Sequence, residues 1–146
     1  MAKSVLHVAI ILAATFCPAA FAQSPGQSDV AVTGVRNADD VVRCGLYNSA
    51  ASFPKTEQRF KGVIAHIANG QATCVFNDIP PGIYAVGLFH AEHDEPEIKY
   101  SFWGVPEEGY GFSQNPSTTF GTPSVGNAAF DYRGGHVAVP VTLTYR

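Results

Sequence analysis

Nothing constrains this chain more than its two-residue rhythm. Near its end, Val137, Val139, Val141, Leu143 and Tyr145 fall on one side of an extended chain, and Ala138, Pro140, Thr142 and Thr144 on the other. Alternation of that kind sets one face of a β-strand on a core and leaves the other in water. The rhythm recurs along the chain, cut at short intervals by Gly, Pro, Asn and Asp, and no stretch after residue 28 carries a helical period.

The strands follow from it. Residues 29–35 read as the first strand and 40–48 as the second, where Val42, Cys44 and Leu46 share a face. Residues 49–59 lose the alternation and contain Phe53-Pro54, which predicts a loop or a short helical turn. A third strand over 62–68 and a fourth over 71–76 flank Asn69-Gly70, the dipeptide that a two-residue hairpin turn with two positive φ angles favours. The fourth strand puts Ala72, Cys74 and Phe76 on one face. After the turn Asp78-Ile79-Pro80-Pro81-Gly82, residues 83–90 are apolar on both faces and predict a central strand. Residues 91–117 read as one long loop, 122–131 as a short turn with one strand, and 136–145 as the closing strand. Pro140 lacks an N–H, so that strand belongs at a sheet edge or carries a bulge. Seven or eight short strands predict an antiparallel β-sandwich of transthyretin-like or immunoglobulin-like type.

The ends and the composition bound the setting. Lys3, the apolar run from Val5 to Phe16 and Ala20-Phe21-Ala22 have the layout of a secretory signal cleaved before Gln23. The apolar run is too short for a membrane span of about 20 residues. Cys17 is not preceded by the small residues and leucine of a lipidation box. Residues 23–28 read as a flexible lead-in and 29–146 as one domain. Without Lys3, eight basic residues face twelve acidic ones, a net charge of about −4. There are no basic runs, which argues against nucleic acid and anionic membrane as partners. Cys44 and Cys74 remain as an even pair in an exported chain, on two strand faces with large apolar neighbours, and predict a disulfide.

Two stretches carry a resemblance. "FNDIPPGIYAVGLFH" (76–90) resembles the strand-turn-strand unit of transthyretin-like and carboxypeptidase-regulatory-type sandwiches. "FWGVPEEGYGFSQNP" (102–116), with "YNSAASFP" (47–54) and the segment from Pro123-Ser124 to Phe130, resembles a bacterial exported family catalogued as domain of unknown function 2141. The resemblance spans residues 29–146 and implies the sandwich fold and an exported location, with the periplasm favoured, but no activity. The family's pattern reads H-D-x-N-x-N-G-x-x-D before G-[IV]-P, an oxygen-rich arrangement of calcium type. In this chain only His90 matches it. Ala91 takes the first acidic position, His93 and Glu95 the Asn positions, Pro96 the Gly and Lys99 the last Asp. The oxygen ligands and the turn-forming glycine that Ca²⁺ needs are gone, so calcium binding is not carried over.

Four sets of residues bear on function. His90, Glu92, His93 and Asp94, with Glu95 and Glu97 beside them, pair imidazoles with carboxylates and offer a site for Zn²⁺ or Cu²⁺. The competing reading is a solvated acidic loop with His90 closing a strand. Tyr100, Phe102, Trp103, Tyr110, Phe112 and Phe120, interleaved with glycines, are either the private core of a long loop or a stacking surface for a partner. Glu107-Glu108 offers paired carboxylates, but neighbours on an extended chain point apart, and Glu108 is expected to accept N–H groups in the Gly-Tyr-Gly turn. Tyr132-Arg133-Gly134-Gly135-His136 faintly echoes the His and Arg of transthyretin-related hydrolases, and a hairpin turn is the simpler account. No catalytic constellation is found. The leading expectation is an exported, non-enzymatic binding or structural module without a required cofactor. Its 91–117 loop, through Phe102, Trp103, Tyr110 and Phe112, would meet a protein, small-molecule or glycan partner. A metal-binding protein using His90 and His93 is the alternative, and a hydrolase drawing on His66, His90, His136 and Arg133 the third.

Overall fold

The computed structural model describes residues 26–146. The signal sequence expected over 1–22, and the first part of the lead-in, lie outside the described residues. Eight strands make up the domain: β1 (Gly26–Thr33), β2 (Val41–Tyr47), β3 (Lys61–His66), β4 (Ala72–Ile79), β5 (Gly82–Ala91), β6 (Tyr110–Phe112), β7 (Phe130–Tyr132) and β8 (His136–Thr142). A single 3₁₀ turn, Thr56–Gln58, sits in the 49–59 loop, and a four-residue helix, α1 (Val125–Ala128), precedes β7.

The strands form two sheets, β4–β1–β8 and β3–β2–β5–β6, with β7 sharing the β6 edge of β5. Alternation explains the first sheet. Val30 and Val32 of β1 and Val139 and Val141 of β8 point inward, and Ala31, Thr33, Ala138 and Pro140 outward. Pro140 lies on an edge strand, where its missing N–H costs no ladder bond. The inner faces of both sheets meet in one core that includes Leu46, Phe76, Ile79, Val86 and Tyr132.

Three expectations change. β1 and β8 pair in parallel, Val30 opposite Val139, so the sandwich is mixed rather than wholly antiparallel. Nearly the whole domain connects these two strands, and only a short hairpin forces opposite directions. The first strand starts at Gly26 inside the presumed lead-in, where small and polar Gln27 and Ser28 hid it; Ser28 is completely buried and Gln27 N–H donates to Gly135 C=O at 2.9 Å. The Asn69-Gly70 turn forms, with φ of 52° and 71°, and Ala68 and Gln71 exchange backbone bonds at 2.8 and 3.1 Å. Beyond that bridge the two strands part, β3 into one sheet and β4 into the other. The turn carries the chain between layers and does not build a ladder.

The disulfide forms between Cys44 of β2 and Cys74 of β4, with Cα atoms 6.4 Å apart, and so ties one sheet to the other through the core. It closes a segment with a sequence separation of 30. A loop of that size removes roughly 3–4 kcal/mol of unfolded-chain entropy. Replacing both cysteines by alanine is expected to lower the unfolding free energy by about that amount in urea titrations, with the strand signal in circular dichroism retained. A loss under about 1 kcal/mol would contradict the chain-entropy account.

A candidate binding groove on the outer sheet face

β5 is buried along both faces, so the sheet it centres cannot leave its outer face in water. Loops cover it. Val41, Tyr47, Phe53, Ala85, Phe89, Ala91, Tyr110, Phe112 and Ala128 form a second buried cluster there, against which Ile98 and Val125 pack. Tyr110 and Phe112 belong to this cluster and to β6, which pairs with β5 at Phe89 and Gly87. They are therefore mostly buried strand rings that present only an edge to the groove described below, and the presumed loop 91–117 contains a strand. Three residues are too few to show a period, which hid β6 in the sequence.

The remaining part of the loop is a tight hairpin. Lys99 C=O accepts from Glu107 N–H at 3.0 Å, Val105 C=O from Ser101 N–H at 2.8 Å, and Ser101 C=O from Gly104 N–H at 2.9 Å. Gly104 takes φ of 74° at the bend. Phe102 and Trp103 occupy the tip, 93% and 84% exposed, with rings edge to face at 5.2 Å. Phe120, on a separate loop, is fully exposed as well. Buried Glu108 locks the hairpin base by accepting from Lys99 N–H at 2.8 Å, across the loop and not within the Gly-Tyr-Gly turn. Glu107 is exposed, and the two carboxylates point apart.

Between the hairpin and the sheet runs a groove of about 270 Å³, close to the lower end of small-molecule sites at about 300–1,000 Å³. Its floor has a simple origin. Gly45 of β2 stands opposite Gly62 of β3 and Gly87 of β5, so three glycines make a row across three adjacent strands. Tyr47, Pro54, Phe89, Ile98, Tyr100 and Phe112 line the groove, with Phe112 opposite Gly87 at the end of the row. Without Cβ atoms the row lets the Tyr47 ring settle over Gly45 and the Arg59 side chain over Gly62, and leaves the backbone at Gly87 as the open floor.

The acidic segment does something else. His90 is fully buried; its Nε2 lies 2.7 Å from the Asp39 carbonyl and its Nδ1 2.8 Å from the Tyr145 hydroxyl. A carbonyl only accepts, so Nε2–H donates to it, and in the neutral tautomer Nδ1 accepts from Tyr145. Glu92 takes Arg36 Nε–H at 2.7 Å and a second bond from Arg36 Nη2, with Asn37 Nδ2 also at 2.7 Å. Those Arg36 bonds hold the Glu92 carboxyl below its ordinary value against the opposing effect of burial. His93 is exposed, and Asp94 pairs with Arg43 Nη2. Of the four residues expected to gather round a metal, His90 and Glu92 stand 3.9 Å apart, but His93 turns to Glu95 and Asp94 to Arg43, and among the described residues no group of three or more His, Cys, Asp or Glu is placed to hold one. The third constellation does not assemble either. Tyr132, beside Arg133, pairs with Gly82 at the start of β5, whereas His90 lies eight residues further along. At about 3.3 Å per residue that separates them by roughly 25 Å. His136 bonds Asp29 at 2.8 Å instead.

A mixed two-sheet sandwich with a loop-covered outer face and an aromatic-rimmed groove defines the class. The chain belongs to the bacterial family described as an uncharacterized protein conserved in bacteria (DUF2141), which matches residues 30–139. No curated protein and no solved structure matches the chain.

Glu95, with Glu92, gives this region a pH dependence. Burial works to raise its carboxyl, but the N–H groups of His93 and of Glu95 itself, together with Lys99, outweigh it and bring it down to about 2. A carboxyl lower in the fold than its free value of 4.5 adds stability above pH 4.5, and that contribution is lost as pH falls through about 2. Glu95→Gln is expected to shrink the difference in thermal midpoint between those two pH values by roughly 3–6 °C, the size of a 1 kcal/mol change in such a domain. An unchanged difference would show that Glu95 does not hold the loop.

Proposed function

We propose that this chain is an exported, non-enzymatic binding module, working in the periplasm or outside the cell, whose binding face is the 99–107 hairpin and the groove beneath it. One observation carries the reading: two large rings, Phe102 and Trp103, stand almost wholly in water at the tip of a hydrogen-bonded hairpin that forms a wall of the groove. Exposed aromatic pairs on an ordered scaffold bind at low entropic cost, because the rings have few rotamers to lose. The leader-like N-terminal sequence and the disulfide between Cys44 and Cys74 support export to an oxidising compartment.

Trp103 is the only tryptophan, so its fluorescence reports this face. The double variant Phe102→Ser/Trp103→Ser is expected to keep its thermal midpoint within a few degrees, since exposed substitutions cost about 0.5 kcal/mol or less. In a thermal-shift screen of small organic compounds and oligosaccharides, compounds that stabilise the natural chain are expected to lose that effect in the variant. Equal stabilisation of both proteins would place binding elsewhere, and a collapse of the variant's midpoint would make the rings structural.

A further inference from the structure

The groove has a charge that the rest of the molecule does not. The full chain carries 9 basic and 12 acidic residues, yet Arg43, Arg59 and Arg146 all line the groove and no Asp or Glu side chain does. Arg59 lies over Gly62 at one end of the glycine row, its Nη1–H bonded to the Thr56 carbonyl at 2.7 Å. Arg146 donates to the carbonyl of Thr118 and, at 3.4 Å, to its hydroxyl. Neither has a carboxylate partner among the described residues. Arg43 pairs only with Asp94, which is 68% exposed, and its Nε–H is sealed from solvent with no acceptor among the described residues. Two guanidinium groups without a carboxylate partner, and a third paired only with an exposed one, around a cleft with no acidic side chain set up a field that draws anions there. Guanidinium also presents the flat fork of donors that fits a carboxylate.

The shape is as particular as the charge. Gly45 lies under the Tyr47 ring and Gly62 under the Arg59 side chain, so the open floor is the backbone at Gly87, flanked by Phe112 and Pro54, a narrow place that suits a flat ring. The rings of Phe89, Tyr100 and Phe112 around it suit stacking on an aromatic face. We infer that the groove, if it is the binding face proposed above, takes a small planar aromatic carboxylate, with its ring over the Gly87 backbone beside Tyr47 and its carboxylate among Arg43, Arg59 and Arg146.

Naphthoate and naphthylmethanol test this, being the same ring system with and without the charge. In calorimetric titrations of the folded chain, naphthoate is expected to bind at one saturable site, at least tenfold more tightly than the alcohol, and to weaken as salt is raised. Arg59→Gln and Arg146→Gln, both at exposed or half-exposed positions, are expected each to cost naphthoate about three- to tenfold in affinity and to leave the alcohol unchanged. Gly87→Leu, whose Cβ meets Phe112 and Pro54 only at 3.5 and 3.6 Å, is expected to fill the floor and abolish binding of both. Equal affinity for the two compounds, with no effect of the arginine variants, would overturn the anion assignment while leaving the groove as the binding face. Binding that survives Gly87→Leu in a folded variant would overturn both readings. No binding of either compound would overturn the aromatic-carboxylate assignment, and the hairpin variant then decides separately whether the face binds anything.

Discussion

The architecture turns on a single strand that is buried on both faces over most of its length. β5 is buried from Tyr84 to Ala91 except at Gly87, so it needs apolar cover on both sides. The three-stranded sheet covers one side and supplies the main core. The other side has no sheet to meet it and must be closed by connecting segments, which is why Phe53 and Ile98 from loops, and Val125 and Ala128 from α1, pack on it. A two-layer sandwich becomes locally three layers thick. Long loops become ordered only because they have that apolar surface to settle on.

The same demand shapes the edges. The β3–β4 turn passes from one sheet to the other at one side of the sandwich, and at the other side Tyr110 and Thr144 exchange backbone bonds at 3.0 and 2.8 Å between β6 and the continuation of β8. Asn115 donates to the Pro140 carbonyl and accepts from Thr142 N–H, giving the exposed edge of β8 side-chain partners. Such contacts blunt an edge that could otherwise pair with a second chain. With the Cys44–Cys74 bridge through the middle, the sheets are fastened at both sides and at the centre.

Much of this was legible in the sequence, and the reasons for the rest are specific. Valines at every second position announced β8, and a run apolar on both faces announced β5, because long strands average over many side chains. The inward faces of β2 and β4 placed Cys44 and Cys74 for their bridge. β6 escaped because three residues carry no period, and the start of β1 because Ser28 is polar yet buried. At the site, residue type misled where geometry decides. His90 and the acidic residues have the chemistry of ligands, but the register that points His90 at Asp39 and Tyr145 depends on strands distant in sequence. The arginines Arg43, Arg59 and Arg146 are scattered over more than a hundred positions, and no local pattern links them.

The glycine row shows most clearly how function can sit inside strand pairing. A glycine within a strand gives up side-chain packing and costs more backbone entropy than any other residue, about 0.5–1 kcal/mol relative to alanine. Three of them opposite one another on neighbouring strands concentrate that cost at a single place, on a face that elsewhere is filled by tyrosine and phenylalanine. At Gly45 and Gly62 the Tyr47 ring and the Arg59 side chain already take that space, and a Cβ would meet them at 2.9 and 2.1 Å, so packing of the free protein accounts for glycine at both. At Gly87 a Cβ would meet only ordinary contacts, so sterics of the free protein do not demand a glycine there. Only above Gly87 does the space stay open despite the packing it forgoes, and the occupant inferred above, lying on the backbone there, would account for it.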